Sequence, residues 1–168
     1  RNETWAISQK VGCVVRTSKG DLLAGGQEGL LKLNPESGEV TSLQNPEPDL
    51  PVNRFNDGKC DPQGRLWAGT MSCEEEEGAG SLYRITNEGS VKRMVESVTI
   101  SNGLAWSQDG TSMYYIDTPT RHVDAFDFDP VEGETSNRRH VIEIPKDMGY
   151  PDGMTIDAEG TVWAALWA

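Results

Sequence analysis

Three polar side chains stand directly before a glycine at widely spaced but regular positions in the sequence. They belong to the pairs Asp57-Gly58, Asn102-Gly103 and Asp152-Gly153, whose polar members lie 45 and 50 residues apart. Carboxylate and amide oxygens are the ligands that hard divalent cations such as calcium, magnesium and manganese prefer. The three pairs would therefore form an oxygen-rich cation site if the fold brought them together. Asn-Gly and Asp-Gly pairs also favour tight turns, so plain turns are the alternative. The two histidines, His122 and His140, fall outside the pattern.

A second feature repeats at nearly the same spacing. It is a polar turn that ends in glycine and is followed by a short apolar run. The turn glycines are Gly20, Gly64, Gly110 and Gly160, separated by 44, 46 and 50 residues. Between them the chain reads as short strands, and residues 123–128 alternate apolar residues with Asp as a half-exposed strand does. The i, i+3, i+4 apolar spacing of a helix is not sustained in any segment, so almost no helix is expected. A repeat of this length with about four short strands is typical of one blade of a β-propeller.

The repeat predicts an all-β propeller in which equivalent positions of successive blades are related by rotation about a central axis. The three polar residues before glycines would then open the innermost strands and converge at one axial mouth. Trp67, Trp106 and Trp163 recur near the turns and are expected in the apolar layers between blades. A β-sandwich is the alternative, but it does not explain the repeat. Propellers close with four to eight blades, and the chain contains about three and a half repeats. We therefore interpret residues 1–168 as a partial β-propeller domain that lacks N-terminal and C-terminal blades.

The composition is that of a globular chain with a marked acidic excess. There are 27 acidic and 15 basic residues, which gives a formal net charge of −12 and disfavours nucleic acid and anionic membranes as partners. No apolar run approaches the 18 residues of a transmembrane helix. Cys13, Cys60 and Cys73 include no C-x-x-C pair, which favours free thiols in a reducing compartment and a cytoplasmic location. One disulfide with one free thiol is the alternative.

Six ordered segments together form a specific signature. RFNDGK at 54–59 is followed by DPQGRLWAGTM at 61–71, and then by ISNGLAW at 100–106, YYIDT at 114–118, VDAFDFD at 123–129 and PDGMTID at 151–157. In this order they resemble the motifs of the SMP-30/gluconolactonase/luciferin-regenerating-enzyme family. The resemblance covers nearly the whole chain, and an ordered set is more specific than a lone short motif. It implies a six-bladed propeller with one divalent metal ion at the axial mouth, either calcium, zinc, manganese or magnesium.

The resemblance also implies roles for individual residues. By motif matching, Asn102 and Asp152 would be metal ligands, and the family's other protein ligand would be a glutamate that precedes this sequence. Arg54 and Asn56 match positions that hold the sugar-like substrate. Glu74 matches a further substrate-contacting position, although any member of the acidic run 74–77 could fill that place, and a solvated acidic loop is an equal alternative. Asp57 would orient the groups around the metal rather than bind it.

The family hydrolyses lactones such as gluconolactone, and this activity is the one that the resemblance favours. A lactone opens through a tetrahedral oxyanion, which a divalent cation stabilises while it lowers the pKa of a bound water. Asp152 would accept the proton of that water, and Arg54 and Asn56 would offer hydrogen-bond donors to substrate oxygens. The expected partner is a small lactone or ester. The alternatives are a related esterase, phosphotriesterase or luciferin-regenerating activity, or a non-catalytic calcium-binding regulatory propeller.

Overall fold

Four antiparallel β-sheets follow one another along residues 4–168, the part of the chain that the computed structural model describes. The first sheet contains β1 (Val11–Arg16), β2 (Leu22–Gly26), β3 (Gly29–Leu33) and β4 (Val40–Ser42). The second contains β5 (Asn53–Cys60), β6 (Leu66–Ser72), β7 (Gly80–Ile85) and β8 (Val91–Val98). The third contains β9 (Ser101–Trp106), β10 (Ser112–Asp117), β11 (His122–Asp129) and β12 (Glu134–Glu143). The fourth contains β13 (Tyr150–Ile156) and β14 (Val162–Trp167). In each four-stranded sheet, strands that are consecutive in sequence pair with each other.

The helical content of the described residues is limited to two short 3₁₀ turns, Thr118–Thr120 and Lys146–Met148. The prediction of an all-β chain with almost no helix is therefore confirmed. Neither turn has the length or the apolar character that a membrane-crossing helix requires.

Cys13, Cys60 and Cys73 are all free thiols.

The turn between the first and second strands of each sheet is built in the same way. Gly20, Gly64, Gly110 and Gly160 each occupy the left-handed region, with φ between 67° and 95°, where glycine is favoured. In the second sheet, Asp61 accepts hydrogen bonds from the backbone N–H groups of Gln63 and Arg65, both at 3.0 Å. This shared turn explains why the glycines recur in the sequence at nearly constant spacing.

Apolar layers between successive sheets hold the fold together. The layer between the second and third sheets is the most aromatic, because the rings of Trp67, Trp106 and Phe128 meet edge to face with all three centroid separations at 6.0 Å. Smaller layers lie on either side, around Phe55 and around Met154. The prediction of core positions holds for Trp67 and Trp106, which are buried.

Two positions differ from their sequence-based expectations. Trp163 is 61% exposed rather than buried between sheets. Asp124, expected to face solvent on a half-exposed strand, is only 2% exposed. Its carboxylate is paired with Arg138, whose Nε lies 2.7 Å from Oδ2, and with His140, whose Nδ1 lies 2.5 Å from Oδ1. The alternation of apolar and charged residues wrongly predicts an exposed Asp124, because the neighbouring strand supplies partners that allow the carboxylate to be buried.

The first strands of the four sheets, β1, β5, β9 and β13, contact one another in series. Each of them carries a β-bulge near its beginning, where the pairing with the second strand of the same sheet shifts register. The three polar-glycine pairs of the sequence lie at these bulges inside the strands, and their glycines do not have positive φ. The alternative interpretation of the pairs as tight turns is therefore wrong. A bulge re-aims side chains locally, and here it does so at equivalent places in neighbouring strands.

Candidate functional site

The bulges bring the beginnings of β5, β9 and β13 close to one another. The close approach is clearest at Gly103, where an added Cβ would lie 2.6 Å from the Cβ of Met154 and 2.9 Å from the carbonyl oxygen of Asp152. Only glycine leaves room for the two strands at this distance. The backbone of Asn102 and Asp152 is thus held side by side, as expected if equivalent positions face a common centre.

A chain of hydrogen bonds links the polar residues across three sheets. Arg54 Nη1 donates to Asn56 Oδ1 at 2.7 Å, and Asn56 Nδ2 donates to Asn102 Oδ1 at 3.2 Å. Asn102 Nδ2 in turn donates to Thr118 Oγ1 at 2.7 Å, and Thr118 Oγ1 donates to the carbonyl oxygen of Pro151 at 2.8 Å. The chain begins at a half-buried arginine, passes through the buried Asn102, and ends beside Asp152.

The electrostatics of this region favour a positive charge. Burial raises the pKa of the Asp57 carboxyl, and the nearby charge of Asp152 raises it further, whereas the N–H of Gly58 and the ammonium of Lys59 lower it. Gly58 N–H donates to Asp57 Oδ1 at 2.7 Å. Lys59 Nζ reaches across to the carbonyl oxygen of Met154 at 3.2 Å. Burial and a neighbouring carboxylate that raise the pKa of Asp57 are a setting that a bound cation would stabilise.

A cleft of about 510 Å³ opens beside this network, within the size range of small-molecule sites. Arg54 and Asn56 line it, as the substrate role expected for them requires. The rest of its lining consists of Lys10, Val11, Gly12, Met71, Cys73 and Glu75. Two positive side chains and one negative side chain, beside amide and backbone groups, could bind a polyhydroxylated compound through hydrogen bonds.

The acidic loop contributes Glu75 to the cleft, while Glu74 is exposed and is not part of the lining. Glu75 has a positive φ of 56°, which turns the loop at this point. The residue predicted from the sequence is Glu74, with any member of the run as the alternative. Lys10 is not predicted from the sequence, and its Nζ donates to Cys73 Sγ at 3.5 Å at the cleft. Lys10 directly precedes Val11 and Gly12 and lies outside the repeated motifs described above.

The donors present fit part of a divalent-cation site. Asn102 Oδ1 accepts one hydrogen bond and has a second lone pair, and Asp152 lies on the neighbouring strand with a carboxylate. Within residues 4–168, no three His, Cys, Asp or Glu side chains group closely enough to hold a metal ion by themselves. Calcium takes six to eight oxygen ligands, so water or further protein oxygens would have to complete the set.

Successive antiparallel sheets with aligned inner strands and a polar site at the strand beginnings define a propeller-like class of protein. A structure named as the Dos1 propeller, 12% identical, matches with a TM-score of 0.65 over 95% of the chain and shows the fold alone. The family model described as "SMP-30/Gluconolactonase/LRE-like region" matches residues 1–168. The chain belongs to this family.

Individual relatives agree with this assignment. Regucalcin of Xenopus laevis is 45% identical over 168 residues, covering 96% of this chain and 56% of the relative. A luciferin-regenerating enzyme structure is 33% identical, with a TM-score of 0.91 over 97% of this chain and 57% of its own length. The calcium-binding protein regucalcin of Agrobacterium tumefaciens strain C58 is 32% identical, with a TM-score of 0.91 over 96% of this chain and 55% of its own length. The chain thus spans little more than half the length of these relatives.

Proposed function

We propose that the protein carrying this chain is a divalent-metal-dependent hydrolase that opens sugar lactones such as gluconolactone. The single observation that carries the proposal is the hydrogen-bonded chain from Arg54 through Asn56 to Asn102, which joins the cleft to one of the two candidate metal ligands. Membership of a family whose description includes gluconolactonases supports the same activity.

Asn102 and Asp152 would hold the metal ion, which would polarise the lactone carbonyl and lower the pKa of an attached water. Asp152 would accept a proton from the attacking water. Arg54 would donate hydrogen bonds to substrate oxygens from a guanidinium that Asn56 and the carbonyl of Phe55 already hold in place. Asp57 would orient this region without binding the metal.

The proposed ion is calcium, in line with a relative named as a calcium-binding protein, although zinc, manganese and magnesium share the ligand preference in part. The reducing compartment that free thiols favour would be the cytoplasm. The Glu74–Glu77 run would border the substrate, with Glu75 facing the cleft.

We also propose that the sheets are blades of a six-bladed propeller of which this chain forms part. Trp67 and Trp163 occupy the same place in the repeat, six residues after Asp61 and Asp157, and their indole N–H groups donate to these aspartates at 3.1 and 2.9 Å. Trp67 is fully buried against the next sheet, whereas Trp163 is 61% exposed. A further blade packed on β13 and β14 would give Trp163 the same environment as Trp67.

The function is tested by gluconolactone hydrolysis in the complete gene product that carries this chain. Asp152→Ala and Asn102→Ala are each expected to abolish metal-dependent turnover. Asp147→Ala is the matched control, because it removes an exposed carboxylate from the 3₁₀ turn just before β13 and should leave turnover unchanged. Retained activity in Asp152→Ala would refute both roles given to this residue.

A calcium-binding regulatory propeller is the second candidate, favoured by the calcium-binding relative. It predicts that the protein binds calcium with the same dependence on Asn102 and Asp152 but does not turn over lactones. Turnover of phosphotriesters or other esters in place of lactones would assign the same site to a related esterase.

A further inference from the structure

Thr118 lies at the junction between two candidate metal ligands. It is the first residue of the 3₁₀ turn that follows β10, and it is 2% exposed. Its Oγ1 lies 2.7 Å from Asn102 Nδ2 and 2.8 Å from the carbonyl oxygen of Pro151, the residue before Asp152. One buried hydroxyl therefore touches a ligand on β9 and the backbone that leads to a ligand on β13.

The chemistry of these partners fixes the orientation of the Asn102 amide. The carbonyl oxygen of Pro151 can only accept a hydrogen bond, so the single hydroxyl proton of Thr118 must be donated to it. Thr118 Oγ1 can then only accept from Asn102, which must present its NH₂ group to Thr118. The Oδ1 atom of Asn102 consequently points to the other side, toward Asn56.

The second contact of Asn102 agrees with this orientation. Asn56 Nδ2 donates to the carbonyl oxygen of Ser101 at 2.8 Å, and Asn56 Oδ1 accepts from Arg54, which can only donate. The Asn56 amide is thus fixed independently, with its NH₂ group facing Asn102 Oδ1. Both ends of the network agree, and Asn102 Oδ1 keeps one lone pair for a cation.

We propose that Thr118 is a positioning residue for the metal site, which holds Asn102 with its oxygen toward the ion. The proposal rests on the proposed function, since it assumes that Asn102 and Asp152 bind the metal. Without the hydroxyl, the Asn102 NH₂ group and the Pro151 carbonyl lose their buried partners. The Asn102 amide would then be held only by the 3.2 Å contact between its Oδ1 and Asn56 Nδ2, so its oxygen would be less firmly directed toward the ion.

The direct test is calcium affinity, measured by titration calorimetry on the metal-free complete gene product. Thr118→Val keeps the shape of the side chain and removes the hydroxyl, and we expect it to weaken binding about 10- to 100-fold, the usual effect of losing a group that orients a metal ligand. Thr118→Ser keeps the hydroxyl and should bind within about threefold of wild type. Thr120→Val is the matched control: it removes an exposed hydroxyl from the same 3₁₀ turn, which donates at 2.6 Å to the carbonyl oxygen of Asp117 and does not contact Asn102. It should leave affinity unchanged.

A merely structural role is distinguished by a double-mutant cycle with Asn102→Ala. If Thr118 acts through Asn102, Thr118→Val will cause little further loss in the Asn102→Ala background. An equal loss in both backgrounds, or wild-type affinity in Thr118→Val, would overturn the proposal while leaving the metal site intact. If Thr118→Val does not fold, Thr118→Ala takes its place in the same cycle. A wild-type protein that binds no calcium, zinc, manganese or magnesium would instead overturn the proposed function, and the role of Thr118 with it.

Discussion

Asn56→Asp is the sharpest perturbation of the network, because it changes one NH₂ group into an oxygen and almost nothing else. In the native site that NH₂ group donates to the carbonyl oxygen of Ser101 at 2.8 Å and to Asn102 Oδ1 at 3.2 Å. The introduced carboxylate would place an oxygen against both acceptors. Its other oxygen would still accept from Arg54 Nη1, which lies 2.7 Å from the present Oδ1.

The expected change in the free energy of unfolding follows from these contacts. Two lost hydrogen bonds cost about 0.5–1.5 kcal/mol each, and partly buried acceptors left without a donor add about 1 kcal/mol. The ion pair with the half-buried Arg54 returns up to about 1 kcal/mol. We therefore expect the free energy of unfolding to fall by about 2 kcal/mol at neutral pH.

Urea unfolding followed by fluorescence measures this change, with Asn87→Asp as the control. Asn87 is an exposed turn residue between β7 and β8, so the same chemical change should cost less than about 0.5 kcal/mol there. If Asn56→Asp is as stable as wild type, the amide orientation deduced from Ser101 and Arg54 is wrong, and the orientation of Asn102 loses its independent support.

Two further predictions concern buried groups away from the cleft. Asp61→Asn should reduce the free energy of unfolding by about 3 kcal/mol, because the buried carboxylate accepts hydrogen bonds from Arg65 Nε at 2.7 Å and from Trp67 Nε1. Asp157→Asn, in the exposed equivalent turn, should cost clearly less, and urea unfolding that ranks the two variants equally would contradict this. Burial, followed by the charge of Glu47, raises the pKa of Tyr83 to about 12, so the stability that the neutral phenol supplies is complete below pH 10 and declines as the pH rises toward 12. Tyr83→Phe should show a shallower loss of stability than wild type between pH 10 and 12, and identical slopes would count against the raised pKa.

The all-β fold class could be predicted from the sequence because the features that indicate it lie within a few residues of one another. Each repeat contains the same glycine turn, and Asp61, Gly64 and Trp67 form one unit in which the carboxylate holds both the turn and the indole ring. Burial of Asp124 was not predictable in this way. Its partners Arg138 and His140 lie on the next strand, and only the register of β11 against β12 brings them to it.

The candidate site was predictable in part for the same reason. Asn102 and Asp152 stand out because they precede glycines at repeat spacing, and the bulges of β9 and β13 explain that pattern. Thr118 comes after the end of β10 rather than before a glycine in the first strand of a sheet. It is therefore not part of the repeated polar-glycine pairs. Its importance depends on one hydroxyl reaching two strands at once, which is a property of packing rather than of sequence spacing.

We propose that the protein carrying this chain uses a divalent ion held by Asn102 and Asp152 to open lactones. The most direct measurement is gluconolactone hydrolysis by the complete gene product, first stripped with chelator and then titrated with calcium, zinc, manganese and magnesium. We expect turnover to be lost on stripping and restored by at least one of these ions in wild type, but not in Asp152→Ala. Undiminished turnover after complete removal of the metal would contradict a metal-dependent hydrolysis.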